Sequence, residues 1–132
     1  MKKLLSFILA LCFLFSMTGC SYEQRFDIDG TAALKIMSGN TGTTVEITDS
    51  EVLDAVTENI TGLSYEKKGK VESDGWIYNL RWYSESGEEL FNLSITEENG
   101  HQIVHKGHYY IVSDDLNIDM EIIEAAYNGG LQ

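Results

Sequence analysis

Cysteine is nearly absent from this chain: there are two in 132 residues, Cys12 and Cys20, and none beyond. Whatever folds after position 20 therefore has no disulfide and no thiol nucleophile, and its stability comes from a packed core. Positive charge is also scarce, with nine Lys and Arg against 21 Asp and Glu, for a formal charge of −12. Such a surface repels phosphate backbones, which argues against DNA or RNA as partners. No glycine-rich phosphate loop is present, and no serine lies in a nucleophile-elbow context. The acidic pairs Glu88-Glu89, Glu97-Glu98 and Asp114-Asp115 are sequence neighbours, and adjacent carboxylates rarely converge on one substrate bond. The expected function is therefore not enzymatic and uses no cofactor. An apolar run of the about 20 residues that a spanning helix needs is missing too.

A shorter apolar run is present. Lys2 and Lys3 precede an apolar stretch over residues 4–15, and small and polar residues then lead to Met17-Thr18-Gly19-Cys20. A charged start, an apolar core of about 7–15 residues and a small-residue cut site is the pattern of a removed signal peptide. The last four residues resemble the bacterial lipoprotein box, with Met17 in place of the usual leucine. That resemblance implies that Cys20 is lipidated and becomes the new N-terminus, anchoring the protein at the outer face of the cell membrane. Removal of Lys2 and Lys3 leaves seven basic residues against 21 acidic ones, a formal charge of −14. This charge favours solubility and cationic partners. The expected division is a signal over residues 1–19, a lipidated cysteine and tether over residues 20–30, and one monomeric domain over residues 31–132.

Within that domain the periodicities predict an α+β fold. Strands are expected over residues 31–38 and 44–48. A helix follows, with Thr48 and Glu51 as a capping box, Val52, Leu53, Val56 and Ile60 at helical spacing, and Gly62 past its end. Residues 63–68, 76–83, 90–96 and 101–112 alternate as strands, the last folded into a hairpin at Lys106-Gly107. A final helix carries Ile122, Ile123, Ala126 and Tyr127, is capped by Asp119 or Asn117, and stops at Asn128-Gly129-Gly130. The expected architecture is an antiparallel β-meander with two helices packed on one face, in β-α-β-β-β-β-α order. This order resembles one half of the TATA-box-binding protein at the level of fold alone, with a cystatin-like sheet around its helix as the alternative. The stretches VEITDSEVLDAV, GWIYNLRWY and KGHYYIV resemble small uncharacterised lipoproteins of Gram-positive bacteria, which implies a cell-surface location and transfers no active site.

Two sets of side chains are candidates for binding. In the strand over residues 76–83, Trp76, Tyr78, Leu80 and Trp82 share one face and are expected in the core. Asn79, Arg81 and Tyr83, with Asn92, share the other, and Trp, Tyr and Arg are the usual anchors of binding surfaces. The second set is His101, His105 and His108. A two-residue turn at Lys106-Gly107 makes His105 and His108 cross-strand neighbours able to share a metal ion. Zinc would need two further ligands, with Glu97 or Asp114 as candidates. Asp27-Ile28-Asp29-Gly30 lacks the glycine spacing of a calcium loop. The resulting expectation is a non-enzymatic interaction module of inhibitor, immunity or accessory type that engages an envelope protein. The alternative is a lipoprotein that binds a small ligand or a metal cation.

Overall fold

The computed structural model describes residues 23–72 and 75–131. The expected signal sequence and Cys20 lie outside the described residues. Eight strands form one sheet: β1 (Glu23–Gln24), β2 (Ala33–Ser38), β3 (Thr44–Ile47), β4 (Tyr65–Lys70), β5 (Tyr78–Tyr83), β6 (Glu89–Ile95), β7 (Gln102–His105) and β8 (His108–Val112). Helix α1 (Ser50–Thr61) lies between β3 and β4, and α2 (Met120–Gly130) follows β8. The spatial order is β1-β4-β8-β7-β6-β5-β2-β3, with every neighbouring pair antiparallel. This is the expected α+β class, and β5 to β8 form the expected meander. Strand β4 leaves the sequence order and pairs with β8 at the far end of the sheet.

Period-two alternation explains which face is core. Registers place Ile36, Leu80 and Leu93 side by side, and likewise Ile95, Ile103 and Tyr110. All six are buried, and strand side chains of one parity point to one face. Both helices cover that face. The Trp82 indole N–H donates to Thr57 Oγ1 on α1 at 3.0 Å, and Tyr127 of α2 lies 5.5 Å from the Tyr78 ring. Tyr65 Oη, buried in the same layer, donates to the Ile60 carbonyl at the end of α1 at 2.8 Å. The helices are clamped to each other by Asn59, whose amide donates to the Asp119 carbonyl and accepts from the Asp119 N–H, both at 2.9 Å.

Trp76, expected in the core strand, stands before β5 and is only half-buried. Three further local details differ from the sequence expectation. The N-cap of α1 is Asp49, not Thr48; its carboxylate accepts from the Glu51 and Val52 N–H groups. Asp wins because its side chain reaches the free first-turn donors and its charge complements the helix dipole. Helix α2 does not stop at Asn128 but runs to Gly130. A Cβ at Gly130 would sit 2.7 Å from Val45 Cβ, so glycine there permits the helix end to close on β3.

The third difference concerns the expected tether. Glu23 and Gln24 pair with Glu66 and Tyr65 of β4, and Phe26 and Ile28 are buried at 4% and 8% exposure. The Phe26 ring centroid lies 4.9 to 5.4 Å from the rings of Tyr65, Phe91, His105 and Tyr110. Residues 23–28 therefore extend the core on the helix-covered face. Only two apolar side chains, two residues apart, carry this. Their hydrophobic gain is invisible until the rings they meet are assembled.

Candidate functional site

The face of the sheet without helices is built from the opposite parity: Asn79, Arg81 and Tyr83 of β5, Asn92 and Ser94 of β6, and Lys35 and Met37 of β2. Registers pair Arg81 with both Asn92 and Lys35, and Asn79 with Ser94. The three residues singled out on β5 are thus brought together. Their roles differ. Asn79 is buried at 7% exposure, and its amide nitrogen donates to Asn92 Oδ1 and Ser94 Oγ, both at 3.0 Å. Its oxygen accepts from Arg81 Nε at 2.8 Å. With both ends of its amide committed, Asn79 positions Arg81 rather than offering a contact of its own. Arg81 also lies 3.9 Å from Glu89 Oε1 and remains half exposed. Tyr83 carries the Lys35 ammonium 5.0 Å from its ring centroid, a cation–π arrangement.

Two depressions open on this face. The smaller, about 230 Å³, lies among Lys35, Met37, Thr44, Asn79, Arg81 and Tyr83. The larger, about 610 Å³, lies between β6 and β7, in the size range of ligand sites. Its cause is a break in the strand ladder. Strand β6 pairs with β5 from Ile95 down to Glu89, yet on its other side only Ser94 and Ile95 find partners, Val104 and Ile103. Beyond Val104 the β7–β8 hairpin leans towards β4, and the Val71 N–H donates to the Gly107 carbonyl at 3.0 Å. The sheet opens there as a wedge. Asn79, Asn92 and Ser94 line one side, Val104 and Lys106 the other, and Glu89 and Leu90 stand at the end.

His105 sits at the apex of the wedge. The β7–β8 hairpin does bring His105 opposite His108, through left-handed conformations at Lys106 (φ +48°) and Gly107 (φ +78°). The rings have other engagements, however. His105 is buried, stacks on Phe91 at 4.4 Å and 18°, and places Nδ1 2.7 Å from the Asn92 carbonyl oxygen. A carbonyl only accepts, so Nδ1 carries the proton. Burial pulls its pKa below the ordinary 6.5; the Asn92 carbonyl opposes this and the Lys106 charge adds to it. His108 directs Nδ1 towards the Lys106 carbonyl at 3.3 Å, and His101 bonds Asn117 Oδ1 at 2.9 Å. Among the described residues no group of three or more His, Cys, Asp or Glu converges to hold a metal ion. The paired histidines thus have no third His, Cys, Asp or Glu beside them among the described residues, and the His105 ring packs in the core.

Sequence reasoning missed Phe91, Glu89 and Leu90 as parts of this site. The β5–β6 register shifts between Trp82 and Tyr83, so that Tyr83 faces Glu89 and Leu90 is passed over. Such a bulge re-aims side chains and leaves no signature in alternation. Leu90 is 39% exposed at the mouth of the wedge.

Among the described residues no helix is long and apolar enough to cross a membrane. Comparison with protein-family models, with curated proteins and with solved structures found no match to this chain.

Proposed function

We propose that this chain is a non-enzymatic protein-interaction module, held at the outer face of the cell membrane by a lipid on Cys20. The helix-free sheet face binds an envelope protein. The observation that carries this reading is the Asn79–Arg81 arrangement. A buried amide, itself held by Asn92 and Ser94, fixes the guanidinium of a half-exposed arginine at 2.8 Å. An arginine ordered before binding loses less side-chain entropy when a partner arrives. With Tyr83 beside it, this face has the composition of a binding hot spot. A partner with a net positive surface is favoured by the excess of acidic residues.

Two measurements test the reading. Labelled palmitate should enter the wild-type chain and not the Cys20→Ala variant; label retained by the variant removes the anchor. The full chain, used as bait in a detergent-solubilised envelope extract, should retain one protein in stoichiometric amount. An Arg81→Ala/Tyr83→Ala double variant with unchanged melting temperature should lose it. An undiminished complex would reject this face as the contact surface.

A further inference from the structure

We infer that the wedge between β6 and β7 accepts an extended, cationic peptide segment of the partner, which adds as a strand to the open side of β6. The inference rests on the helix-free face being the contact surface and specifies how that face is used.

The first ground is the broken ladder. Continuing the Ser94–Val104 register by two residues would set Asn92 opposite Lys106. The chain instead turns at Lys106 with φ +48°, and the hairpin tip bonds to Val71. Among the described residues no strand covers residues 89–93 on that side, although β6 is an interior strand of the sheet. The Asn92 carbonyl, which a neighbouring strand would engage through a backbone N–H, is engaged by the His105 imidazole at 2.7 Å. A side chain thus stands in for a missing strand. Unpaired strand edges recruit extended segments, with main-chain bonds supplying affinity and alternate side chains specificity.

The second ground is the chemistry around that edge. Leu90 presents an exposed apolar side chain at the mouth. Beside it the β5–β6 turn carries Glu85 and Glu88, and β6 opens with Glu89, all exposed. An incoming strand with an apolar residue on Leu90 and its lysine or arginine at the Glu88–Glu89 end, not beside Lys106 on the opposite wall, matches the lining. A segment with acidic residues there would meet like charge. Displacement of the His105 ring from Asn92 accompanies entry, because the ring occupies the space beside the Asn92 carbonyl that a paired strand would take.

The test uses the full chain, ¹⁵N-labelled in detergent micelles, with short synthetic peptides in which lysine alternates with valine, threonine or isoleucine. Within residues 89–93, binding should slow amide exchange by about tenfold or more at Asn92, whose N–H shares the open side with its carbonyl, a local protection readable against the rest of the sheet. The His105 Nδ1 resonance should move as its bond to Asn92 is lost. A pool N-methylated at alternate amides, which cannot complete the ladder, and a pool with glutamate for lysine should both fail to protect. No protection at residues 89–93, or equal protection by the N-methylated pool, overturns the inference. The two readings also separate in the captured complex. If Arg81→Ala/Tyr83→Ala abolishes capture while residues 89–93 exchange freely in the wild-type complex, the wedge assignment alone is wrong. If capture survives that double variant, the face itself is wrong.

Discussion

Replacing Phe26 with alanine tests whether residues 23–28 are a free tether or part of the packed domain. Phe26 is 4% exposed and meets the rings of Tyr65, His105, Phe91 and Tyr110 with centroids 4.9 to 5.4 Å away. Truncating a buried phenylalanine costs about 3–5 kcal/mol, the lost transfer term plus the cavity left behind. Tyr65 is tied to the end of α1 through its hydroxyl, and Phe91 is held between Trp82 at 5.7 Å and His105 at 4.4 Å, so little collapse into the cavity is expected and the cost falls within that range. For a domain of about 100 residues each kcal/mol lowers Tm by about 4 °C or more, so a drop of at least about 12 °C is expected. Urea unfolding followed by tryptophan fluorescence measures the free-energy loss, and thermal unfolding the shift in Tm, with Asp27→Ala as control. Asp27 is exposed, and a surface change of that kind stays within about 0.5 kcal/mol. The loss of about 3–5 kcal/mol at Phe26 is by contrast a large fraction of a domain's total stability. Should the alanine variant fail to fold, Phe26→Leu, with an expected loss of about 1–2 kcal/mol, reads the same burial. A Phe26→Ala variant as stable as Asp27→Ala would refute the packing of this segment and restore the tether.

Gly100 has φ +73°, and a Cβ there would fall inside contact distance of the Ile118 carbonyl oxygen, so Gly100→Ala should lose about 3 kcal/mol or more by urea midpoint. Lys106 holds φ +48° in the β7–β8 turn. Lys106→Asn, creating the favoured Asn-Gly pair, should therefore stabilise by about 0.5–1 kcal/mol in thermal unfolding. His105 is held below its ordinary pKa of 6.5 by burial, so its neutral form supports the fold fully above that value. As pH falls below it, the unfolded chain takes a proton that the folded ring resists. Wild type should lose stability relative to His105→Gln between about pH 7 and pH 5, and parallel pH profiles would contradict the burial argument. Zinc should raise the melting temperature of wild type no more than that of a His105→Ala/His108→Ala variant. A shift that only wild type shows would reinstate a metal site.

Much of the fold is legible along the chain because it depends on neighbours a few residues apart. Helix α1 follows from apolar residues at helical spacing, and the hairpin at Lys106-Gly107 from its turn residues. The burial of Leu80 and Trp82 against the exposure of Arg81 follows from period two alone. Placing Asn79, Arg81 and Tyr83 on one face is the same inference. The role of Asn79 is not, because it depends on Asn92 and Ser94, whose positions beside it are set by register.

What the sequence by itself determined is therefore most of the elements and their faces, consequences of local spacing and side-chain chemistry. Only the tertiary structure decided that β4 pairs with β8, that Phe26 enters the core, and that β7 parts from β6 after two residue pairs. Each of these is a choice between partners distant in the chain. Its energy lies in contacts that exist only after the sheet is assembled, so no local pattern encodes it. The wedge at Asn92 and His105 belongs to this second group. It arises where the pull of β4 on the hairpin tip through Gly107 prevails over continued pairing with β6.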